Sequence, residues 1–151
     1  MNILVLCTGN SARSILLEHI LRRLGHTSFS AGSNPTGKMH PQSITLLSGL
    51  GYDVSGARSK SWDEFAQEDA PVLDVVITVC GSAAGETCPV WPGAPLTVHW
   101  GVDDPAAAPQ ADWDVAFQTA YDILNRRAEA FDALDPALAL NDRLTSVSHL
   151  P

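Results

Sequence analysis

An α/β fold on a mostly parallel sheet is predicted by three features of the sequence. Apolar strand-like runs alternate with amphipathic helical stretches, the first run stops abruptly at a polar loop, and that loop leads directly into a helix. Strands that alternate with helices pair in parallel and are covered on both faces, so four such runs predict a four-stranded central sheet flanked by helices.

Asn2 to Leu6 is a short apolar run ending at a turn, as a buried parallel strand requires. Ile15, Leu16, Leu17, Ile20, Leu21 and Leu24 recur at helical spacing, with Glu18, Arg22 and Arg23 assigned to the opposite, polar side and Gly25 as the stop. A weak strand is expected at 28–31, then a turn-rich loop through Gly32, Pro35 and Gly37, then a helix over 41–50 ending at Gly51. Ser61 followed by Glu64 reads as a capping box on a short helix. Residues 72–79, rich in valine and isoleucine, form the strongest strand signal and end at Cys80. Glycines and prolines between 81 and 93 leave room for at most one helical turn. A short strand at 96–99 precedes a long amphipathic helix over 113–134, with Val115, Ala116, Ala120, Ile123, Leu124 and Phe131 on its apolar face. Beyond Pro136 the chain is expected to add a turn or to fray.

At 151 residues and 45% hydrophobic composition the chain can bury one core, and a single domain spanning 1–151 is expected. Its net charge of −8, with no basic stripe, argues against a nucleic-acid partner. No apolar run has the length of a signal peptide core or a membrane span, so a cytoplasmic protein, plausible as a monomer, is the expectation. Three cysteines are an odd number, which favours thiol chemistry or burial over a structural disulfide framework.

In open parallel sheets, sites form beyond the carboxyl ends of the strands. Cys7, Cys80 and the pair Asp103-Asp104 each follow a predicted strand. The loop Cys7-Thr8-Gly9-Asn10-Ser11-Ala12-Arg13-Ser14 leaves a strand and enters a helix, a geometry that aims backbone amides and the positive end of the helix dipole at one spot. Such a cradle suits a tetrahedral oxyanion. Gly9 and Asn10 tolerate the left-handed backbone that the curl needs, and Arg13 can return over the same anion with a bidentate guanidinium. The same positive surroundings are expected to depress the Cys7 pKa and hold it as a thiolate nucleophile, with Ser14 donating a further hydrogen bond. A Walker loop is excluded because Gly-Lys-Ser/Thr is absent. Taken alone, Cys80 reads equally well as a small buried hydrophobe or as a sulfur able to attack a Cys7 adduct; Cys88 alone reads as a small buried hydrophobe, but from its pliable loop it could attack Cys80 in turn. A zinc site lacks both a Cys-x2-Cys pair and paired histidines, and no metal is expected. Asp103 and Asp104 are the acids at this edge, where a carboxyl group could protonate a leaving oxygen, and Pro105 restricts the loop around Asp104. His99 reads as a satisfied strand-end residue, and Trp62, Trp91, Trp100 and Trp113 as packing.

The spacing Cys-x5-Arg-Ser directly after an apolar strand resembles the low-molecular-weight protein tyrosine phosphatase family. Three further stretches occur in order: Val-Ile-Thr-Val-Cys ending at Cys80, Thr-Cys-Pro-Val-Trp-Pro-Gly around Cys88, and His-Trp-Gly-Val-Asp-Asp-Pro ending at Pro105. With them the chain resembles the phosphatase-like, thiol-coupled arsenate reductases from about Met1 to Phe131. The resemblance implies a three-layer sandwich with a four-stranded, mostly parallel central sheet. It also implies a relay in which Cys7 attacks arsenic, Cys80 attacks Cys7 and releases arsenite, and Cys88 takes over the disulfide with Cys80, with Asp104 resembling the family's general acid and Asp103 its nearest competitor. No bound cofactor is implied, only an external reductant, thioredoxin or glutaredoxin with glutathione. A further cysteine found in some members at the position of Ala12 is absent. A potassium site known in part of the family would use Asn10, Glu18 and Ser33, but its remaining acidic ligand has no counterpart here, and that ion is not expected. The alternative is a low-molecular-weight tyrosine phosphatase acting through a phosphocysteine at Cys7. Such enzymes tend to carry an aromatic wall after the Asp-Pro, where this chain has Ala106, Ala107 and Ala108. A third possibility is a redox-regulated module that binds oxyanions without turnover.

Overall fold

A computed structural model describes residues 1–85 and 89–151. The chain runs β1 (Asn2–Leu6), α1 (Arg13–Arg23), β2 (Thr27–Ala31), α2 (Pro41–Gly49), β3 (Val75–Thr78), α3 (Gly81–Gly85), β4 (Leu96–His99), α4 (Trp113–Ala133) and α5 (Leu140–Ser146). Short 3-10 turns lie at Trp62–Phe65, Pro105–Ala107 and Gln110–Asp112. The four strands form one sheet in the order β2-β1-β3-β4, and every pairing is parallel, where the sequence predicted a mostly parallel sheet.

Alternation along the strands assigns each face its cover. Ile3 and Val5 pair with Ser28 and Ser30, whose hydroxyls both bond Glu18 of α1, so this face looks toward α1. Leu4 pairs with Phe29, which stacks at 5.4 Å on Phe65 of the first 3-10 turn and marks the opposite face. Ile3, Leu4, Val5 and Leu6 are wholly buried, which explains why this strand reads as a continuous apolar run.

Several local expectations shift. The third strand begins at Val75 rather than at residue 72, because Val72 is 60% exposed and the Asp74 carboxylate is occupied by the Asn2 amide at 2.7 Å. Ser61 does cap its turn by accepting from the Asp63 amide, but Glu64 turns away to Arg58, so no reciprocal capping box forms. On α4 the buried stripe is Phe117, Ala120, Leu124, Ala128 and Phe131; Val115, expected on it, is 71% exposed. Glu18, expected on the polar face, is 4% exposed, with Ser30 Oγ and Arg22 Nη2 both donating to it at 2.8 Å. The segment beyond Pro136 neither frays nor stops at one turn, since α5 buries Leu144 and Val147 follows it into the core.

The connection from β1 goes to β2 on one side, while β3 pairs with β1 on the other and leads on to β4. The loops leaving β1 and β3 therefore diverge at their carboxyl ends and open a crevice there. Among the described residues, no helix is long and apolar enough to cross a membrane.

Candidate active site

The crevice is a cavity of about 600 Å³. The loop from Cys7 to Arg13 lines it together with Thr36, Cys80, Gly81, Asp104 and Ala106. Four segments separated in the chain thus meet where the strand order reverses.

The curl of the loop is set by its carbonyls. Asn34 and Thr36 amides donate to the Thr8 and Gly9 carbonyls at 3.0 Å each, Ser59 Oγ adds a second bond to Gly9, and the His40 amide and Ser43 Oγ both donate to Ser11 at 2.9 Å. With these carbonyls tied to the segment around α2, the backbone amides of residues 9–13 have no protein acceptor among the described residues. They are donors available to an oxyanion, at the start of a helix whose N-cap, Ala12, offers no side-chain cap. Asn10 takes the left-handed conformation, φ 47°, at the sharpest bend. Fully buried, it locks the loop by donating to Ser14 Oγ at 2.9 Å and accepting from the Lys60 amide at 2.9 Å.

Arg13 opens α1 with its side chain 13% exposed. Nη1 donates to the Val102 carbonyl at 2.9 Å, and Nη2 stands 3.7 Å from the Asp104 carboxylate. Its Nε is buried with no partner among the described residues. A guanidinium anchored at one end and unsatisfied at the other is preset for a tetrahedral anion. Asp104 caps the Pro105–Ala107 turn through the Ala106 amide at 3.0 Å, leaving its other oxygen toward Arg13. Of the acidic pair, only Asp104 reaches the Cys7 cavity; Asp103 lies on a neighbouring pocket against α4.

Cys7 and Cys80 are free, buried thiols that line one cavity. Neither is governed by the cradle alone. Interaction with Cys80 and burial push the Cys7 pKa up, against the opposing pull of Arg13 and the Thr8 amide. Cys80 is lowered to about 5, chiefly by the hydrogen bond from Cys7, with help from the Ala83 amide, 3.4 Å from its sulfur, and from Thr8. The two sulfurs titrate as one interacting pair, each shifting the other, rather than as independent thiols. Sequence reasoning considered Cys7 alone with its cradle and left out the second sulfur. Cys88 lies outside the described residues.

Several groups that shape this site carry no local signal. His40, to which the sequence assigned no role, caps α2, holds Ser11 and packs its ring against Trp113 at 4.5 Å. Ser59 and Lys60 reach the loop from about fifty residues away. His99 is satisfied by Thr78 at 2.8 Å, as expected of a strand-end residue.

Known proteins share this arrangement of chain. The model of the low molecular weight phosphotyrosine protein phosphatase family matches residues 2–139. An arsenate reductase of Halalkalibacterium halodurans is 37% identical over 132 residues, covering 83% of this chain and 91% of that protein. One of Bacillus subtilis is 34% identical over 131 residues, with the same coverage of 83% and 91%. Among solved structures, an arsenate reductase in the phosphate-binding state superposes with a TM-score of 0.68 at 27% identity, covering 87% of this chain and 96% of that one. An arsenate reductase in the oxidised state gives 0.70 at 26% identity, again with 87% and 96% coverage.

Proposed function

Because the chain belongs to the low molecular weight phosphotyrosine protein phosphatase family and, within it, groups with the arsenate reductases, we propose that it reduces arsenate to arsenite through its own thiols. The observation that carries this reading is the pair of free, buried thiols, Cys7 and Cys80, in one cavity with Arg13 and Asp104. A phosphatase of this chemistry needs one cysteine; a reductase needs two electrons, and a second sulfur in contact with the first supplies them.

The amides of Gly9, Asn10, Ser11, Ala12 and Arg13 and the Arg13 guanidinium hold the oxyanion, Thr8 lends its amide to the sulfurs, and Ser14 keeps Asn10 in place. An arsenate oxygen takes the proton from Cys7, and the resulting thiolate attacks arsenic. The arsenic–oxygen bond breaks and the oxygen leaves as water with a proton from Asp104. The Cys80 thiolate then attacks Cys7 sulfur. A disulfide forms, the sulfur–arsenic bond breaks with its electron pair kept by arsenic, and arsenic(V) becomes arsenic(III). Cys88 attacks Cys80 of that disulfide, frees Cys7, and leaves a Cys80–Cys88 disulfide for an external thiol system, thioredoxin or glutaredoxin with glutathione. The lowered pKa of Cys80 suits the second step, since attack on a sulfur requires the thiolate. The cavity wall beyond Asp104 is Ala106, and no aromatic side chain is among its lining residues, which disfavours a tyrosine phosphatase.

Intact mass and thiol counts after a single turnover with arsenate and no reductant test the reading. The expected outcome is a Cys80–Cys88 disulfide in the wild type and a trapped Cys7–Cys80 disulfide in Cys88→Ser. All thiols remaining free, with brisk hydrolysis of an aryl phosphate, would establish a phosphatase instead.

A further inference from the structure

The family match stops at residue 139, and the chain beyond it consists of α5 and the stretch through Leu150. This segment is fastened to the loop that carries Asp104. Trp100 Nε1 donates to the Leu144 carbonyl at 3.0 Å. Arg127, on α4 and 7% exposed, donates from Nε to the Leu150 carbonyl at 2.8 Å and from Nη1 to the Gly101 carbonyl at 3.0 Å. The next carbonyl along, Val102, is the one that anchors Arg13 Nη1 at 2.9 Å. Two guanidiniums therefore grip adjacent peptides of one loop, one from the oxyanion cradle and one from the segment beyond the family match.

Arg127 makes no ion pair among the described residues. A buried guanidinium satisfied by carbonyls alone is a costly way to fill space between α4 and α5, where an apolar side chain of similar volume would pack without loss of solvation. Its forked donors do what an apolar group cannot, which is to fix two carbonyls relative to each other.

We propose that Arg127 is a positioning residue: with the segment 140–150 it braces Gly101-Val102, and through Val102 it presets the Arg13 guanidinium and the Asp104 carboxylate for the oxyanion. For turnover this rests on the arsenate reading; for anion binding it stands alone. The Arg127→Met variant of the full chain keeps the apolar stem and removes the fork. Inorganic phosphate, measured by calorimetry, is expected to bind about tenfold more weakly, below the roughly hundredfold that a full ångström of misplacement costs. Amide exchange at Val102, whose N–H bonds the Val79 carbonyl at 3.1 Å, is expected to speed up. Arg127→Lys retains one donor and should recover part of both. Leu47→Ala, a buried α2 position, serves as the control for lost stability: a lower melting temperature with phosphate affinity and Val102 exchange unchanged, both read well below the melt. Phosphate affinity and exchange in Arg127→Met that match those of the wild type would overturn the brace; if that variant does not fold, Arg127→Lys decides by the same two readings. A wild type that binds phosphate but leaves arsenate unreduced would sink the reductase reading alone, because neither measurement needs turnover.

Discussion

Gly32 offers a sharp test of how tightly the cradle is built. It lies just beyond β2, its amide donating to the Lys60 carbonyl and its own carbonyl accepting from the Trp62 amide, both at 2.9 Å. A Cβ at this position would stand 2.3 Å from the Thr8 carbonyl oxygen, 2.9 Å from that of Cys7 and 3.1 Å from Asn10 Cβ. Ordinary contact begins near 3.4 Å, so the Thr8 peptide must move by about 1 Å, and all the crowding atoms belong to the oxyanion loop. Gly32 cannot retreat without breaking its bridge to Ser61. Its φ is not positive, so on backbone grounds alone Gly32→Ala would stabilise by about 0.4–1 kcal/mol through the unfolded chain. The clash decides the sign. Overpacking of this kind costs about 1–3 kcal/mol, a fall in melting temperature of roughly 2–10 °C for a chain of this size. Displacement of the cradle by about 1 Å should cost on the order of a hundredfold in arsenate turnover. Calorimetric melting, phosphate titration and single-turnover arsenite release are the assays. A Gly32→Ala protein that melts at or above the wild type and binds phosphate undiminished would refute the packing described for this loop.

Two other outcomes are expected of the site. Ultraviolet thiolate absorbance, read as the difference between wild type and Cys80→Ser, should show a thiolate that forms as pH rises through about 5; in Cys7→Ala the step should move up toward an ordinary thiol, because the Cys7 hydrogen bond is the largest cause of the depression. A step that stays in place without Cys7 would contradict the interaction between the two thiols. Asp104→Asn should lower arsenate turnover by about 100- to 10,000-fold while phosphate affinity is kept or improved, since a carboxylate 3.7 Å from Arg13 is neutralised. Undiminished turnover in that variant would remove Asp104 as the proton donor.

The parts of this molecule legible in its sequence are those written in contiguous residues. The strand Asn2–Leu6, the loop from Cys7 to Ser14 and the helix after it form one uninterrupted stretch, so strand, curl and helix start could be read from apolar run, Gly-Asn and periodicity. Convergence of Cys7, Cys80 and Asp104 was legible too, because parallel strands place all their carboxyl ends on one edge. Helical periodicity was less decisive. It chose Val115 over Phe117 on α4, since a wheel ranks positions by hydrophobicity and cannot know which side meets α1 and α2.

Tertiary structure alone decided what each polar group would face. Glu18 has the helical phase of a solvent residue, yet the serines of β2 arrive over it and supply its hydrogen bonds. The two thiols shift each other's pKa because β1 and β3 are neighbours in the sheet, a pairing between residues some seventy positions apart. Arg127 is one of two adjacent arginines on a long amphipathic helix until Leu150 and Gly101 close around it. Local sequence specifies backbone conformation and apolar burial, which depend on near neighbours and on hydrophobicity. Hydrogen-bond partners and proton positions depend on which distant groups the fold brings within about 3 Å, and no spacing along the chain encodes that distance.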